Sequence, residues 1–378
     1  MKIGFEAKRL FANFTGLGNY SRFIVNALSA LYPKHNYFLY TPRASEHSEV
    51  ETITSRPNVT VVTPGMLYTG KVLSSLWRTW AVHSEPTVQT LDIFHGLSQE
   101  LPLQLSSKIR KVVTIHDLIF LRYPQFYRAV DVNVYKLKAA YACKTADKII
   151  AVSQQTAADI QHFFGDHLAP KITVVYQGVH PNFNRVVTAD EIESVRRKYS
   201  LPANYILNIG TIEERKNLLV LVKALAMVPP DFRIPLVVIG RKTPYCATVQ
   251  KEIARLQLTD YVLFVHNAAF EDFAAIYKGA RVFLYPSLFE GFGIPLVEAI
   301  KSGVPVITST GSCFSEAAGP HSIYVHPQNA DEIAAQIVTL ISDEDKRAAI
   351  VKNSQKYIER FSPDVVANDL MKVYLGLL

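Results

Sequence analysis

Cysteine is scarce in this chain: 378 residues contain three, Cys143, Cys246 and Cys313, with no C-x-x-C pair among them. A disulfide-built fold and cysteine-based metal or redox motifs are therefore excluded. Uninterrupted apolar runs of the roughly 18 residues that a membrane-spanning helix requires are also absent. So are repeats of roughly 20 to 50 residues and low-complexity tracts, which excludes solenoids and disordered linkers. The opening MKIGFEAKRL puts Glu6, Lys8 and Arg9 where a signal peptide needs apolar residues. These absences lead us to expect a soluble, cytoplasmic globular protein.

Hydrophobic residues make up 49% of the chain and charged residues 19%, enough for a large core and too little charge for disorder. At about 150 residues per domain, the length predicts two domains. Lys and Arg number 40 against 33 Asp and Glu, a net charge of +7. Such a balance points to an anionic partner: nucleic acid, an anionic membrane or a phosphorylated substrate. The basic residues are scattered rather than striped, which disfavours nucleic acid.

Short apolar runs alternate with helical patterns twice over. KIGFEA (2–7), YFLY (37–40), VTVV (59–62), DIFH (92–95), KVVTIHD (111–117), KIIAVS (148–153) and KITVV (171–175) read as strands. Helices are expected at about 19–32, 127–146 and 154–164. The segment 180–200 is polar and has no strand-like run. YILNIG (205–210) then opens a second series, continued by PLVVIG (235–240), VLFV (262–265), VFLYPS (282–287), PVITS (305–309) and IYVH (323–326). This alternation predicts an α/β protein with two Rossmann-like, doubly wound parallel-sheet domains facing a cleft. We place the first domain at 1–185, a linker at 186–200 and the second domain at 201–361. A last helix at 362–378 should return toward the first domain.

The densest chemistry lies in YPSLFEGFGIPLVEAIKSGVPVIT (285–308), a strand, loop, helix and strand. Pro295 suits a first helical turn. Gly291 and Gly293 let backbone approach a ligand just before it, and a helix N-terminus favours phosphate. Glu290 and Glu298 bracket that site. Beside phosphate amides a carboxylate is electrostatically awkward, and accepting hydrogen bonds from sugar hydroxyls is its simplest role. The alternative is that Glu298 complements the helix dipole and Glu290 is solvated.

EGFGIPLVE resembles the paired-glutamate motif of the retaining glycosyltransferases of family 4, which have the GT-B fold. The resemblance runs through nearly the whole chain, in order: TGLGNY (15–20), FHG (94–96), TIHDL (114–118), AVS with Thr156, YQGV (176–179), GTIEERKNL (210–218), YPSLFEGFGIPLVEA (285–299) and SGVPVIT (302–308). It implies that Glu290 contacts donor-sugar hydroxyls and Glu298 holds the nucleotide ribose. The loop at Gly291, Phe292 and Gly293 would face sugar and diphosphate. Gly210, Thr211 and Ser287 join this donor-binding set, and base contacts are expected from His266 and Asn267.

In GTIEERKNL, Arg215 and Lys216 stand just before a helix, where the macrodipole disfavours cations unless an anion sits between them. Arg grips phosphate bidentately and Lys acts as a point charge, so both suit a leaving diphosphate. The plainer reading is a basic pair that neutralises Glu213 and Glu214. Many family members carry Arg directly after the glycine, where this chain has Thr211; Lys216 matches the family lysine by spacing.

On the N-terminal side, TGLG with Gly16 and Gly18 reads as a flexible loop whose amides reach the donor phosphate. A dinucleotide fingerprint is not met, because the third glycine is missing. His116 and Asp117 end a strand, and the match to TIHDL implies a donor-sugar contact for His116. Asp117 either joins it, orients His116 or caps the next segment. His95 is an acceptor-side candidate. The D-x-D at 343–345 starts a late helix, so helix capping is preferred to metal binding. No metal or other cofactor is expected.

By resemblance, the reaction moves a hexose from a nucleotide-diphosphate donor to a hydroxyl of a glycan or lipid-linked glycan, with retention. GTIEERKN resembles mannosyltransferases of bacterial surface polysaccharide assembly, which makes GDP-mannose the first choice of donor and UDP-hexoses the second. A non-hydrolysing UDP-sugar epimerase and a non-catalytic nucleotide-sugar-binding protein are the alternatives. MLYTGKVLSSLWRTWAV (66–82), with Trp77, Trp80, Lys71 and Arg78, suits a membrane interface and a lipid-linked acceptor. It equally suits a helix packed on the N-terminal sheet with one or two rings exposed. Residues 1–185 carry 20 basic against 12 acidic residues, so the charge excess lies on the acceptor side and fits a phosphorylated lipid-linked acceptor or peripheral contact with an anionic membrane.

Overall fold

The computed structural model describes residues 1–45, 47–65 and 71–378. The chain forms two compact units, Met1–Gly178 with Phe361–Leu378, and Val179–Arg360.

The first unit is built on seven parallel strands: β1 (Lys2–Glu6), β2 (Asn36–Tyr40), β3 (Val59–Val62), β4 (Ile93–Gly96), β5 (Arg110–Ile115), β6 (Lys148–Ala151) and β7 (Ile172–Val174). Their order is β3-β2-β1-β4-β5-β6-β7. Every residue of β4 is buried, as a sheet covered on both faces demands. The order reverses between β1 and β4, and in such sheets ligands are met beyond the carboxyl ends of the strands at that point.

The second unit has six parallel strands, β8 (Ile206–Ile209), β9 (Leu236–Ile239), β10 (Val262–Val265), β11 (Val282–Tyr285), β12 (Val306–Ser309) and β13 (Ile323–Val325). Their order is β10-β9-β8-β11-β12-β13, with the reversal between β8 and β11.

The final helix, Pro363–Leu375, belongs to the first unit. Val366, Ala367, Leu370, Met371 and Tyr374 are spaced to line one face, and they enter the core formed by Ile24, Leu28 and Ile3.

Two expectations are corrected, and an open alternative is narrowed. Residues 186–200 are not a linker: Ala189–Lys198 is a helix within the second unit. Thr188 caps it by accepting from the Glu191 amide at 3.2 Å, and Lys198 pairs with Asp272 at 2.7 Å. The T-x-x-E spacing of Thr188 and Glu191 is a helix-start signal that polarity concealed. TGLG is not a loop either, because the helix begins at Gly16 and runs to Leu31. Asn13 takes the place of a cap there, its Oδ1 accepting from the Thr15 and Gly18 amides at 2.8 and 3.3 Å.

For the tryptophan segment, where the sequence suits a membrane face and a packed helix equally, residues 66–70 lie outside the described residues. Trp77 is buried, with Nε1 donating to Glu85 at 2.8 Å. Arg78 is buried too, paired with Glu6 at 3.1 Å and with Glu100. Trp80 is exposed. Trp77 and Arg78 thus belong to the packed reading, and neither can serve a membrane interface. In the second unit, the Asp343 carboxylate accepts from the Lys346 amide at 2.8 Å, so the acidic run at 343–345 opens with a helix cap.

Candidate active site

The second unit's reversal point gathers the chemistry. After β8 the chain makes a 3-10 turn, Glu214–Lys216, before the helix Leu218–Met227. Asn217 joins them in the left-handed region (φ 60°), with its side-chain amide donating to the carbonyls of Pro286 and Pro327 at 3.0 and 2.6 Å. The Leu288 amide donates to the Arg215 carbonyl at 2.9 Å. These bonds tie the cation-bearing turn to the loop after β11.

Glu290 is where they converge. Its Oε1 accepts from Lys216 Nζ at 2.6 Å and Tyr285 Oη at 3.1 Å, and pairs with Arg215 Nη1 at 2.9 Å. Lys216 also lies 5.0 Å from the Tyr285 ring centroid. Burial pushes the Glu290 carboxyl up, but Lys216 and Arg215 pull harder and hold it at about 2. Burial pulls Lys216 below the usual lysine range. Burial opposes the Arg215 charge as well, yet Glu290 and Glu213 outweigh it and its pKa rises. The basic pair therefore does more than neutralise its own loop: Arg215 meets Glu213 at 2.6 Å, and both cations meet Glu290.

The loop beyond Glu290 is held from beneath. Cys313 Sγ donates to the carbonyls of Glu290 and Phe292 at 3.2 and 3.0 Å. Gly293 precedes the helix Ile294–Lys301 at φ 100°, where a side chain would be strained. Phe292 is buried, Gly291 partly so. Glu298 is buried in that helix and accepts from Tyr277 Oη at 2.9 Å. Burial lifts its carboxyl to about 7.

Other expected donor residues are placed unequally. Gly210 and Thr211 follow β8 at half-buried positions, and Gly240 packs so closely that an added Cβ would sit 1.8 Å from the Gly210 carbonyl. His266 and Asn267 are exposed after β10, with His266 Nδ1 2.9 Å from the Gly240 carbonyl. Ser287 is wholly buried, its carbonyl accepting from Ser309 Oγ at 2.8 Å.

In the first unit, His116 is almost fully buried. Its Nε2 donates to the Leu97 carbonyl at 2.8 Å, and its Nδ1 lies 3.1 Å from the Gln177 side-chain nitrogen. That pairing selects the neutral tautomer protonated on Nε2, and burial lowers its pKa to about 4. Asp117 Oδ1 accepts from the Ile119 amide at 3.1 Å, the capping role. His95 is fully buried between Tyr374 Oη at 2.6 Å and Thr114 Oγ1 at 2.9 Å, with burial lowering its pKa to about 3. It anchors the final helix, and this corrects its acceptor-side assignment.

The first unit also holds a cavity of about 220 Å³ lined by Arg9, Gln99, Glu100, Asp117, Tyr135 and Lys138, with Phe120 and Tyr127 among its aromatic walls. Sequence reasoning missed this cavity, and it also missed Tyr277, Tyr285, Asn217 and Cys313. Each of these acts through a partner at least 20 residues away, or through a wall shared by several elements, so no local spacing marks them; the short reach of Tyr285 to Glu290 is the exception.

Two doubly wound parallel-sheet units, the second carrying an ion-paired glutamate and another buried glutamate after its strand-order reversal, have the layout of the GT-B fold. Residues 14–183 match the model of Glycosyltransferase Family 4, and residues 191–357 match that of Glycosyl transferases group 1. The chain belongs to this glycosyltransferase family. It is 25% identical to the O-antigen chain mannosyltransferase B of Escherichia coli across 99% of both chains. It is 26% identical to the O-antigen chain mannosyltransferase RfbU of Salmonella typhimurium over 67% of this chain and 66% of that protein. Among solved structures, the fold resembles a glycosyltransferase from Rickettsia africae (TM-score 0.75, 17% identity, covering 100% of this chain and 98% of that one). It also resembles Anabaena HepE in complex with UDP-glucose (TM-score 0.75, 20% identity, all of both chains). Among the described residues no helix is long and apolar enough to cross a membrane.

Proposed function

We propose that this glycosyltransferase is a retaining mannosyltransferase that moves mannose from GDP-mannose to a hydroxyl of a growing surface glycan, free or lipid-linked. The carrying observation is the Glu290 carboxylate held between Lys216 and Arg215. The names of the Escherichia coli and Salmonella relatives support mannose and O-antigen assembly. UDP-hexoses are the second choice, supported by the UDP-glucose complex of HepE.

The acceptor hydroxyl attacks the anomeric carbon on the face that the diphosphate leaves, through an oxocarbenium-like state, and the leaving phosphate takes its proton. A retaining hydrolase would instead need a carboxylate nucleophile. Glu290 accepts from sugar hydroxyls here, while Lys216 and Arg215 stabilise the charge that builds on the leaving group. Two half-buried cations supply the charge that a metal would, so we propose a metal-independent reaction. His116, neutral near pH 7 and bonded through both ring nitrogens to Leu97 and Gln177, would meet the sugar only by exchanging its Gln177 partner, and not as a cation. The reaction would take place at the cytoplasmic membrane face, in peripheral contact with it.

The decisive experiment is a donor screen that detects released nucleotide, with and without glycan and lipid-linked glycan acceptors. Release only with acceptor argues against an epimerase. Glu290→Ala should mainly lower kcat, whereas Glu298→Ala should mainly weaken donor binding. Full activity in both variants would sink the assignment.

Glu298 also sets a pH dependence. Its carboxyl titrates at about 7, and only the carboxylate accepts from both ribose hydroxyls. Donor affinity should be full above pH 8 and fall by about tenfold for each unit below 7. Glu298→Gln should flatten that profile. A donor Kd constant between pH 5.5 and 8 in the unmodified chain would overturn this role.

A further inference from the structure

The helix Ala129–Thr145 turns apolar side chains to solvent. Val130, Val134 and Leu137 are 69%, 43% and 71% exposed, at the i, i+4 and i+7 spacing of a single stripe. Exposed Arg128, Lys136 and Lys144 flank it. Roughly one-fifth and two-fifths of a turn around the same helix lie Lys138 and Tyr135, which line the 220 Å³ cavity.

That cavity opens beyond the ends of β4 and β5, beside the first sheet's reversal point. Its polar side is pre-organised. Arg78 pairs with both Glu6 and Glu100, and Glu100 pairs with Lys138 at 3.0 Å. Gln99 sits at φ 61°, a strained backbone for a residue with a side chain, and its side-chain amide donates to the Asp117 carbonyl at 3.1 Å. The other side is aromatic: the Phe120 ring meets Tyr135 and Tyr127 edge to face, with centroids 5.7 and 6.5 Å apart. Aromatic rings opposite carboxylates and a lysine suit a sugar, which has apolar ring faces and a rim of hydroxyls. The volume falls below the roughly 300 Å³ of pockets for drug-sized ligands, so it accommodates one sugar ring.

We propose that this helix binds a lipid-linked glycan with its two adjacent faces: the terminal sugar ring enters the cavity, and the apolar stripe rests in the anionic bilayer that carries the lipid. The assignment rests on the glycosyltransferase reading above. Apolar side chains between basic ones match an interface of acyl chains and anionic headgroups. Within 66–82, Trp77 and Arg78 are buried and take no part in such a contact, while Leu73, Leu76 and Trp80 are exposed.

The full chain should co-sediment with phosphatidylglycerol-containing vesicles, and Val134→Ser with Leu137→Ser should weaken that binding by roughly tenfold or more. Both positions are exposed, and an unchanged unfolding midpoint would show that the double variant folds. Saturation-transfer NMR should detect methyl α-mannoside on the unmodified chain and lose the signal in Tyr135→Ala. Vesicle binding that ignores the stripe would overturn the proposal. So would a mannoside signal indifferent to Tyr135, or a dimer that the double substitution dissociates. GDP binding, measured in parallel, reports on the donor site alone: if GDP binds and the mannoside does not, the cavity assignment fails while the glycosyltransferase reading stands.

Discussion

Lys216→Met is expected to lower kcat by about a thousandfold, the upper range for removing one charge-stabilising donor from an enclosed site. Two losses combine. The leaving diphosphate loses the cation nearest Glu290, and Glu290 loses the strongest of the pulls that hold its carboxyl at about 2. The carboxyl then rises toward the ordinary glutamate range, because burial now works against its charge with only Arg215 to oppose it. Lys216→Arg should restore only part of the rate. The ammonium fits between the Glu290 carboxylate at 2.6 Å and the Tyr285 ring at 5.0 Å, and a planar guanidinium needs more room. Steady-state kinetics with donor and acceptor both varied will separate kcat from KM. A kcat within threefold of the unmodified enzyme would remove Lys216 from the chemistry.

The largest effect on stability is expected from Gly18→Ala. An added Cβ would lie 1.6 Å from the Asn13 carbonyl oxygen, 2.6 Å from its carbon and 2.9 Å from the Arg9 carbonyl oxygen. All three are backbone atoms, so no side chain can swing aside. The helix start must shift instead, at a cost of about 3 kcal/mol or more. Gly16→Ala is the control: nothing lies within 4 Å of its Cβ, and alanine should change stability by less than about 1 kcal/mol. Urea unfolding of the two variants should differ by the full margin. Equal midpoints would mean that the tight turn from Arg9 to Gly18 is not as close as described. The contrast also revises what TGLG is for: one glycine permits a close packing of backbone, and the other occupies open space.

Much of this architecture was legible in sequence, for a reason visible in single strands. ILNI and VFLY are buried at every position, as a parallel sheet covered on both faces requires, and they appear as short continuous apolar runs. The helix at 189–198 was missed by the same logic, since Val195 is its one buried residue and its main signal is a cap. TGLG misled because glycines suggest a loop, while here they open a helix. His95 misled because a strand-end position says where a side chain sits, not what it meets. Only the returning final helix brings Tyr374 to it.

The division follows from range. By itself the sequence determined two parallel α/β units, through local apolar runs and helical spacing. It also determined which residue types flank the 290 loop, through Glu290, Glu298, Arg215 and Lys216. Tertiary structure alone decided how these residues are paired. Lys216 reaches Glu290 across 74 positions, and Tyr277 reaches Glu298 from a separate helix. Such meetings depend on strand order, and a crossover that places β11 beside β8 leaves no periodic trace in either segment. Burial, which follows from those meetings, then sets the charges: one glutamate is held at about 2 by two cations, and the other, paired only with a tyrosine, is lifted to about 7.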